Sequence, residues 1–223
     1  MRNILITGAN SGIGLETVKQ LSNGNNILAI SRNINNIPNI NSVIIKQCDV
    51  TNYQQINNIV EDFNNQFGEI DVLINNAGVA YYNLLENNKI NEIQEMINVN
   101  ILGFTNVLHS VIPLMIKNNA GTIINLSSLA DRVARPNSAV YAATKAYVKS
   151  ISDSLCKGLA KHNIRVSNLS PSNINTPLLQ SIKKMNSGYI DVSKFVEVIK
   201  FIIKSDYSMN IRDIVIGPTG YEG

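Results

Sequence analysis

The sequence predicts an α/β protein: a doubly wound, mostly parallel sheet of about seven strands with helices on both faces. Two observations predict it. Compact β-branched runs alternate with amphipathic helical patterns from end to end, with no break in composition. A glycine-rich turn also lies directly between the first such run and the first helical pattern. At 223 residues the chain suits one domain, spanning 1–223, with a large core.

The strand-like runs are 4–7, 27–31, 43–47, 72–75, 122–126, 165–169 and 211–216, apolar enough to be buried on both faces of a parallel sheet. Helical patterns fall at 13–22, 53–67, 90–118, 139–162 and 192–204. In the second, Ile56, Ile59, Val60 and Phe63 recur at i, i+3, i+4 and i+7, one inward stripe. The stretch between Ser31 and Val43 is short, rich in asparagine and carries Pro38. That is near the minimum for a parallel crossover and predicts a loop or a single turn.

Apolar residues make up 44% and charged residues 16%, an ordinary globular balance. The net charge of +3 comes with no block of like charges, so neither nucleic acid nor a membrane surface is indicated. Cys48 and Cys156 either form one disulfide or are buried free thiols; a domain this size needs no staple, which favours the thiols. The chain enters a strand almost at once, without a signal-peptide core. Its longest apolar stretch, 101–116, is interrupted by Thr105, Asn106, His109, Ser110 and Pro113, and does not read as a bilayer span. A cytoplasmic protein is expected. The abundant asparagine, lying among periodic apolar positions, reads as base composition rather than low complexity.

The glycine-rich turn is Thr7-Gly8-Ala9-Asn10-Ser11-Gly12-Ile13-Gly14. Glycines there permit a tight turn and close backbone approach to a pyrophosphate, whose charge is favoured at the following helix N-terminus. At the end of the second strand an NAD site carries an acidic residue for the ribose 2′-hydroxyl. This chain has Ser31-Arg32 and no carboxylate nearby in sequence. A guanidinium suits a 2′-phosphate, so NADP(H) is expected ahead of NAD; the bland alternative is that Arg32 is a solvated loop cation.

Tyr141 and Lys145 stand four apart, with Ser128 thirteen positions before the tyrosine. On a helix the pair shares one face. A cation beside a phenol stabilises the phenolate and lowers its pKa, which suits acid–base work. Alone, the spacing is common, and a half-buried tyrosine beside a solvated lysine is the better explanation of it.

Taken in order, these residues resemble the short-chain dehydrogenase/reductase family in its compact single-domain form, over almost the whole chain. The Thr7–Gly14 turn is similar to the family's cofactor loop. Asp49, in Cys48-Asp49-Val50, matches the residue at the adenine ring. Asn75-Asn76-Ala77-Gly78 matches the motif that steadies the sheet and lines the cofactor cleft. Asn100 matches the catalytic asparagine, Ser128 the catalytic serine, and Tyr141 and Lys145 the catalytic pair. Pro171, Ile174 and Thr176 fall where the family meets the nicotinamide.

The resemblance implies a Rossmann-like fold and reversible hydride transfer between NADP(H) and a carbonyl or secondary alcohol. Tyr141 would be the general acid/base and Ser128 the donor to the developing alkoxide. Lys145 would hold the ribose and lower the Tyr141 pKa, and Asn100 would hold a relay water. Three departures stand out: Ser172 replaces the usual glycine after Pro171, Asp131 stands where glycine is common, and the chain ends differently after Gly217.

Two other classes compete. A non-catalytic NADP-binding sensor or scaffold would typically lack the Tyr–Lys pair, and an extended-type epimerase would need a longer C-terminal region. The substrate pocket is expected at 80–85, 131–135 and 178–190, the last as a mobile lid at 178–190. Tyr81, Tyr82, Leu178 and Leu179 suggest an apolar pocket. Arg132 and Arg135 either meet an anionic substrate group or are solvated or paired with Asp131, the favoured reading. His109 and His162 read as surface or interface positions. Outward apolar residues on the two long helices, such as Tyr147, Val148 and Ile151, together with the resemblance, imply a homodimer or homotetramer.

Overall fold

Parallel strands need crossover connections, usually helical, and the computed structural model, which describes residues 1–180 and 188–220, uses helices for every successive strand connection except one. It runs β1 (Asn3–Thr7), α1 (Gly12–Leu21), β2 (Asn26–Ser31), β3 (Val43–Gln47), α2 (Tyr53–Phe67) and β4 (Val72–Asn75). Then come α3 (Ile90–Ile97), α4 (Phe104–Asn118), β5 (Gly121–Leu126), α5 (Ala139–Gly158) and β6 (Ile164–Pro171). The short α6 (Pro177–Gln180), α7 (Val192–Lys204) and β7 (Asp213–Ile216) complete it. The strands form one seven-stranded sheet in the order β3-β2-β1-β4-β5-β6-β7. All six pairings are parallel.

Alternation along the strands divides the core into two layers. In β1, Leu5 faces one side, while Ile4 and Ile6 face the other. In β4, Leu73 opposes Val72 and Ile74 in the same way. The Leu5 side packs against α2, α4 and α5, with the Ile56, Ile59, Val60 and Phe63 stripe fully engaged. The opposite side packs against α1 and α7 through Val18, Leu21, Phe195 and Ile199. Asn52 starts α2, its side chain accepting from the Gln55 N–H at 3.0 Å.

The connection from β2 to β3 contains turns and no helix, as its length predicts. The long 90–118 pattern is one continuous helical rod, but the Asn98–Gly103 segment between α3 and α4 is a π-helical turn. Pattern alone does not show such a widening, which inserts an extra residue per turn and re-aims Asn100. The rod is long and apolar enough to cross a bilayer by length and composition. Here, however, Val107, Leu108, Val111 and Met115 are buried against the sheet. Val148, expected to face outward, is turned into the core; Tyr147 and Ile151 pack half-buried at its edge. Both cysteines are free and buried.

The strand order reverses between β1 and β4, and a crevice opens at their carboxyl ends. Leu73, fully buried in β4 beside that crevice, is a sensitive probe of the layering. Leu73→Ala should cost about 2–5 kcal/mol in urea unfolding, whereas the exposed Leu84→Ala should stay within about 0.5 kcal/mol. Equal effects would contradict the two-layer core.

Candidate active site

The crevice is a trough of about 290 Å³ lined by the glycine turn, Ser31, Arg32, Asp49, Val50, Asn76, Ala77, Gly78 and Thr176. Gly8, Asn10, Ser11, Gly12 and Ile13 all contribute to it. Gly8 and Gly12 adopt left-handed φ values of 65° and 52°, where a side chain would be strained. Gly14 does not line the trough; it sits behind it, where a Cβ would collide with the Gly8 carbonyl oxygen. Ser11 caps α1 by position but makes no side-chain cap bond. The first-turn N–H groups of α1 are therefore left for an anion. These features fit a dinucleotide pyrophosphate.

The loops on either side are tied together. Thr7 Oγ1 accepts from the N–H groups of Asn76 and Ala77, both at 3.0 Å, and donates to Asn75 Oδ1 at 3.3 Å. The Asn76 amide donates to the carbonyls of Thr7 and Gly8 at 2.9 and 3.3 Å. Asn10 has a different task, its Oδ1 accepting from the Asn36 N–H at 2.9 Å and so pinning the β2–β3 connection. Asp49 Oδ1 is taken up by Thr51, accepting from its N–H at 2.9 Å and its hydroxyl at 2.8 Å. Thr7 was not singled out from sequence; its position before the glycines was the available signal.

A second cavity of about 140 Å³ adjoins the trough and is lined by Ser128, Tyr141, Lys145, Pro171, Ile174 and Thr176. Ile13, Asn76, Gly78, Val79, Thr176 and Leu178 line both spaces. Tyr82, Leu178 and Leu179 close its apolar side. Of the expected pocket segments, 80–85 contributes Tyr82 and 131–135 contributes nothing among the described residues. Residues 181–187, the middle of the expected lid, lie outside the described residues.

The Tyr141 side chain lines this cavity together with those of Ser128 and Tyr82, whose polar groups work to lower its pKa. The Tyr82 and Tyr141 ring centroids lie 5.3 Å apart. Ser128 also serves as a turn cap, its Oγ accepting from the Ala130 N–H at 3.2 Å. Lys145 Nζ donates to the Leu126 carbonyl at 2.8 Å and lies 5.8 Å from the Tyr141 ring centroid. Asn100 lies behind Gly78 and clamps Val79, accepting from its N–H at 2.9 Å and donating to its carbonyl at 2.8 Å. Its amide also donates to Thr144 Oγ1 at 3.1 Å.

Electrostatics correct one expectation. Burial pushes the Tyr141 phenol above its ordinary range, hydrogen bonds from Ser128 and Tyr82 pull it back, and the nearby Asp131 charge raises it further. Lys145 is not among the causes. Burial lowers Lys145 itself to about 8, against an opposing contribution from Asp131. For both groups desolvation is the leading cause of the shift.

Arg132 and Asp131 are also settled. Arg132 Nε binds Asp131 at 2.6 Å, and its two terminal nitrogens bind Asp213 at 2.9 Å each. Burial works to raise the Asp131 carboxyl, but hydrogen bonds from Arg132, Ser170, Asn168 and Ser127 together hold it below the carboxylate range. Arg132 is thus a paired cation away from the cavity. At Pro171-Ser172-Asn173 the left-handed residue is Asn173, with φ 50°. The backbone therefore turns without requiring glycine at Ser172, because asparagine tolerates this region. His109, read as a surface or interface position, is exposed and meets the Tyr53 hydroxyl at 3.1 Å.

Arg32 brings the main surprise. Its Nη1 lies 2.9 Å from Glu95 Oε1, a carboxylate sixty-three positions away in sequence. Glu95 Oε2 accepts from the Tyr81 hydroxyl at 2.6 Å.

Comparison with known proteins agrees with this architecture. The short chain dehydrogenase family model matches residues 2–187. An uncharacterized oxidoreductase of Staphylococcus saprophyticus is 37% identical, over 97% of this chain and 95% of its own. The structure of a 3-ketoacyl-(acyl-carrier-protein) reductase from Brucella melitensis, complexed with NADH, superposes with a TM-score of 0.91 at 26% identity, covering 97% of this chain and 96% of that one. A gluconate 5-dehydrogenase from Burkholderia cenocepacia, in complex with NADP and tartrate, gives 0.88 at 26% identity, covering 97% and 93%. The chain belongs to the short-chain dehydrogenase/reductase family and is an oxidoreductase.

The depressed lysine has a measurable consequence. Lys145 falls from its ordinary 10.5 to about 8 on folding. Between those values the unfolded chain holds a proton that the folded chain has shed, so this group's contribution to stability rises with pH. The unfolding free energy of wild type minus that of Lys145→Met should therefore increase from pH 8 to 10, by at most about 1.4 kcal/mol per pH unit. A difference independent of pH would contradict the assignment.

Proposed function

We propose that the chain is an NADP(H)-dependent oxidoreductase interconverting a carbonyl and a secondary alcohol, with Tyr141 as general acid/base. One observation carries the reading: Tyr141, Ser128 and Lys145 converge in a cavity continuous with the nucleotide trough. The solved relatives with NADP or NADH bound support the cofactor class, and Arg32 at the trough favours the 2′-phosphate.

Bound in the trough, the cofactor supplies the hydride. The first turn of α1 holds its pyrophosphate, Arg32 its 2′-phosphate and Asp49 its adenine side. Pro171, Ile174 and Thr176 hold the nicotinamide end. Tyr141 donates its proton to the carbonyl oxygen in reduction and removes it in oxidation. Ser128 hydrogen-bonds the same oxygen as charge develops on it. Lys145, buried and still mostly protonated near neutral pH, binds the ribose and favours the phenolate once the pocket is filled. Asn100 fixes Val79 and the wall beside Lys145. Tyr82, Leu178 and Leu179 favour an apolar group beside the carbonyl.

The test is consumption of NADPH and of NADH with a panel of neutral and anionic ketones. NADPH should be the more efficient cofactor. Arg32→Glu should raise the NADPH KM about tenfold or more and leave that for NADH within about twofold. Equal changes for both cofactors would overturn the NADP assignment.

A further inference from the structure

Three elements meet at the rim of the nucleotide trough. Arg32 comes from the end of β2, Glu95 from α3 and Tyr81 from the loop after β4. The Arg32 guanidinium lines the trough, whereas Glu95 does not; it draws the cation from outside. The second Glu95 oxygen is fixed by the Tyr81 hydroxyl at 2.6 Å. Glu95 Oε1 takes up one guanidinium nitrogen, Nη1, that a phosphate could otherwise use.

We propose that Glu95, held in place by Tyr81, competes with the 2′-phosphate of NADP(H) for Arg32 and so narrows the preference for the phosphorylated cofactor. This rests on the reading that Arg32 meets that phosphate. Binding then draws Arg32 Nη1 away from Glu95 or divides its charge between two anions. NADH, with no phosphate to offer, binds with the Arg32–Glu95 pair intact. Tyr81 and Glu95 carry hydrogen-bonded pressure on each other: the Tyr81 hydroxyl is raised by Glu95, and Tyr81 followed by Arg32 holds the Glu95 carboxyl below its usual range. Glu95 is therefore charged at neutral pH and an effective competitor. The pair is partly exposed, with side chains 53% and 32% accessible, so its influence is modest.

Titrations of purified protein with NADPH and with NADH, followed by calorimetry without substrate, test this. Glu95→Gln should tighten NADPH binding about two- to fivefold and leave NADH unchanged. Tyr81→Phe should act in the same direction more weakly. In an Arg32→Ala background, Glu95→Gln should have no further effect on NADPH, which separates competition for Arg32 from general removal of negative charge. An unchanged or weaker NADPH affinity in Glu95→Gln overturns the proposal, as does persistence of its effect without Arg32. Weaker NADH binding in Glu95→Gln also overturns it, because Glu95 would then be a ribose ligand. If Arg32→Ala itself leaves NADPH affinity unchanged, the NADP reading falls and this inference with it.

Discussion

The carboxyl ends of β1 and β4 are tied together by one hydroxyl. Thr7 Oγ1 makes three hydrogen bonds, two accepted and one donated, which uses its full capacity. Because the strand order reverses between these strands, their following loops diverge, and a crevice must open there. Thr7, with the Asn76 amide, sets how far it opens. Everything functional hangs on that spacing: the glycine turn on one side, Gly78 and Val79 on the other, and the cavity beyond. A threonine with every lone pair engaged tolerates burial that would otherwise be costly.

A polar row, buried at its three asparagines and exposed at Asp213, crosses the sheet beside it. Parallel register places Asn75 beside Asn125, Asn125 beside Asn168, and Asn168 beside Asp213. Asn75 donates to the Phe104 carbonyl, Asn125 to Ser152 Oγ, and Asn168 to Asp131 and Asp213. These bonds dock α4, α5 and the turn after Ser128 onto the strand ends. Asp131 joins the row to the chemistry, since its charge raises both Tyr141 and Lys145. A buried anion nearby helps a desolvated lysine keep its proton.

Much of this was legible in sequence because it depends on local pattern. Five helical patterns and seven strands follow from periodicity, and the glycine turn from its place between the first strand and helix, whereas the roles of Ser128, Tyr141 and Lys145 come only with the family resemblance. What escaped depends on contacts between distant positions. No pattern shows that Glu95 reaches Arg32, that Tyr82 reaches Tyr141, or that Arg132 is consumed by Asp131 and Asp213. The π-helical turn at Asn98–Gly103 was invisible for a different reason: it keeps the helical pattern on both sides and shifts only the phase. The abundance of asparagine masks the polar row, and also Asn119, Asn163 and Asn173, each of which adopts a left-handed turn conformation. Spacing shows a cation beside Tyr141 in sequence but not the burial that raises its pKa.

The central claim is that Tyr141 moves the proton while other residues bind and orient. Single-turnover reduction by Tyr141→Phe, alongside calorimetric NADPH binding, tests it most directly. The variant keeps the ring and its contact with Tyr82 but loses the hydroxyl. NADPH affinity should stay within about threefold of wild type while the rate falls by about a factor of 100 or more. Near-normal turnover with intact binding would contradict the account.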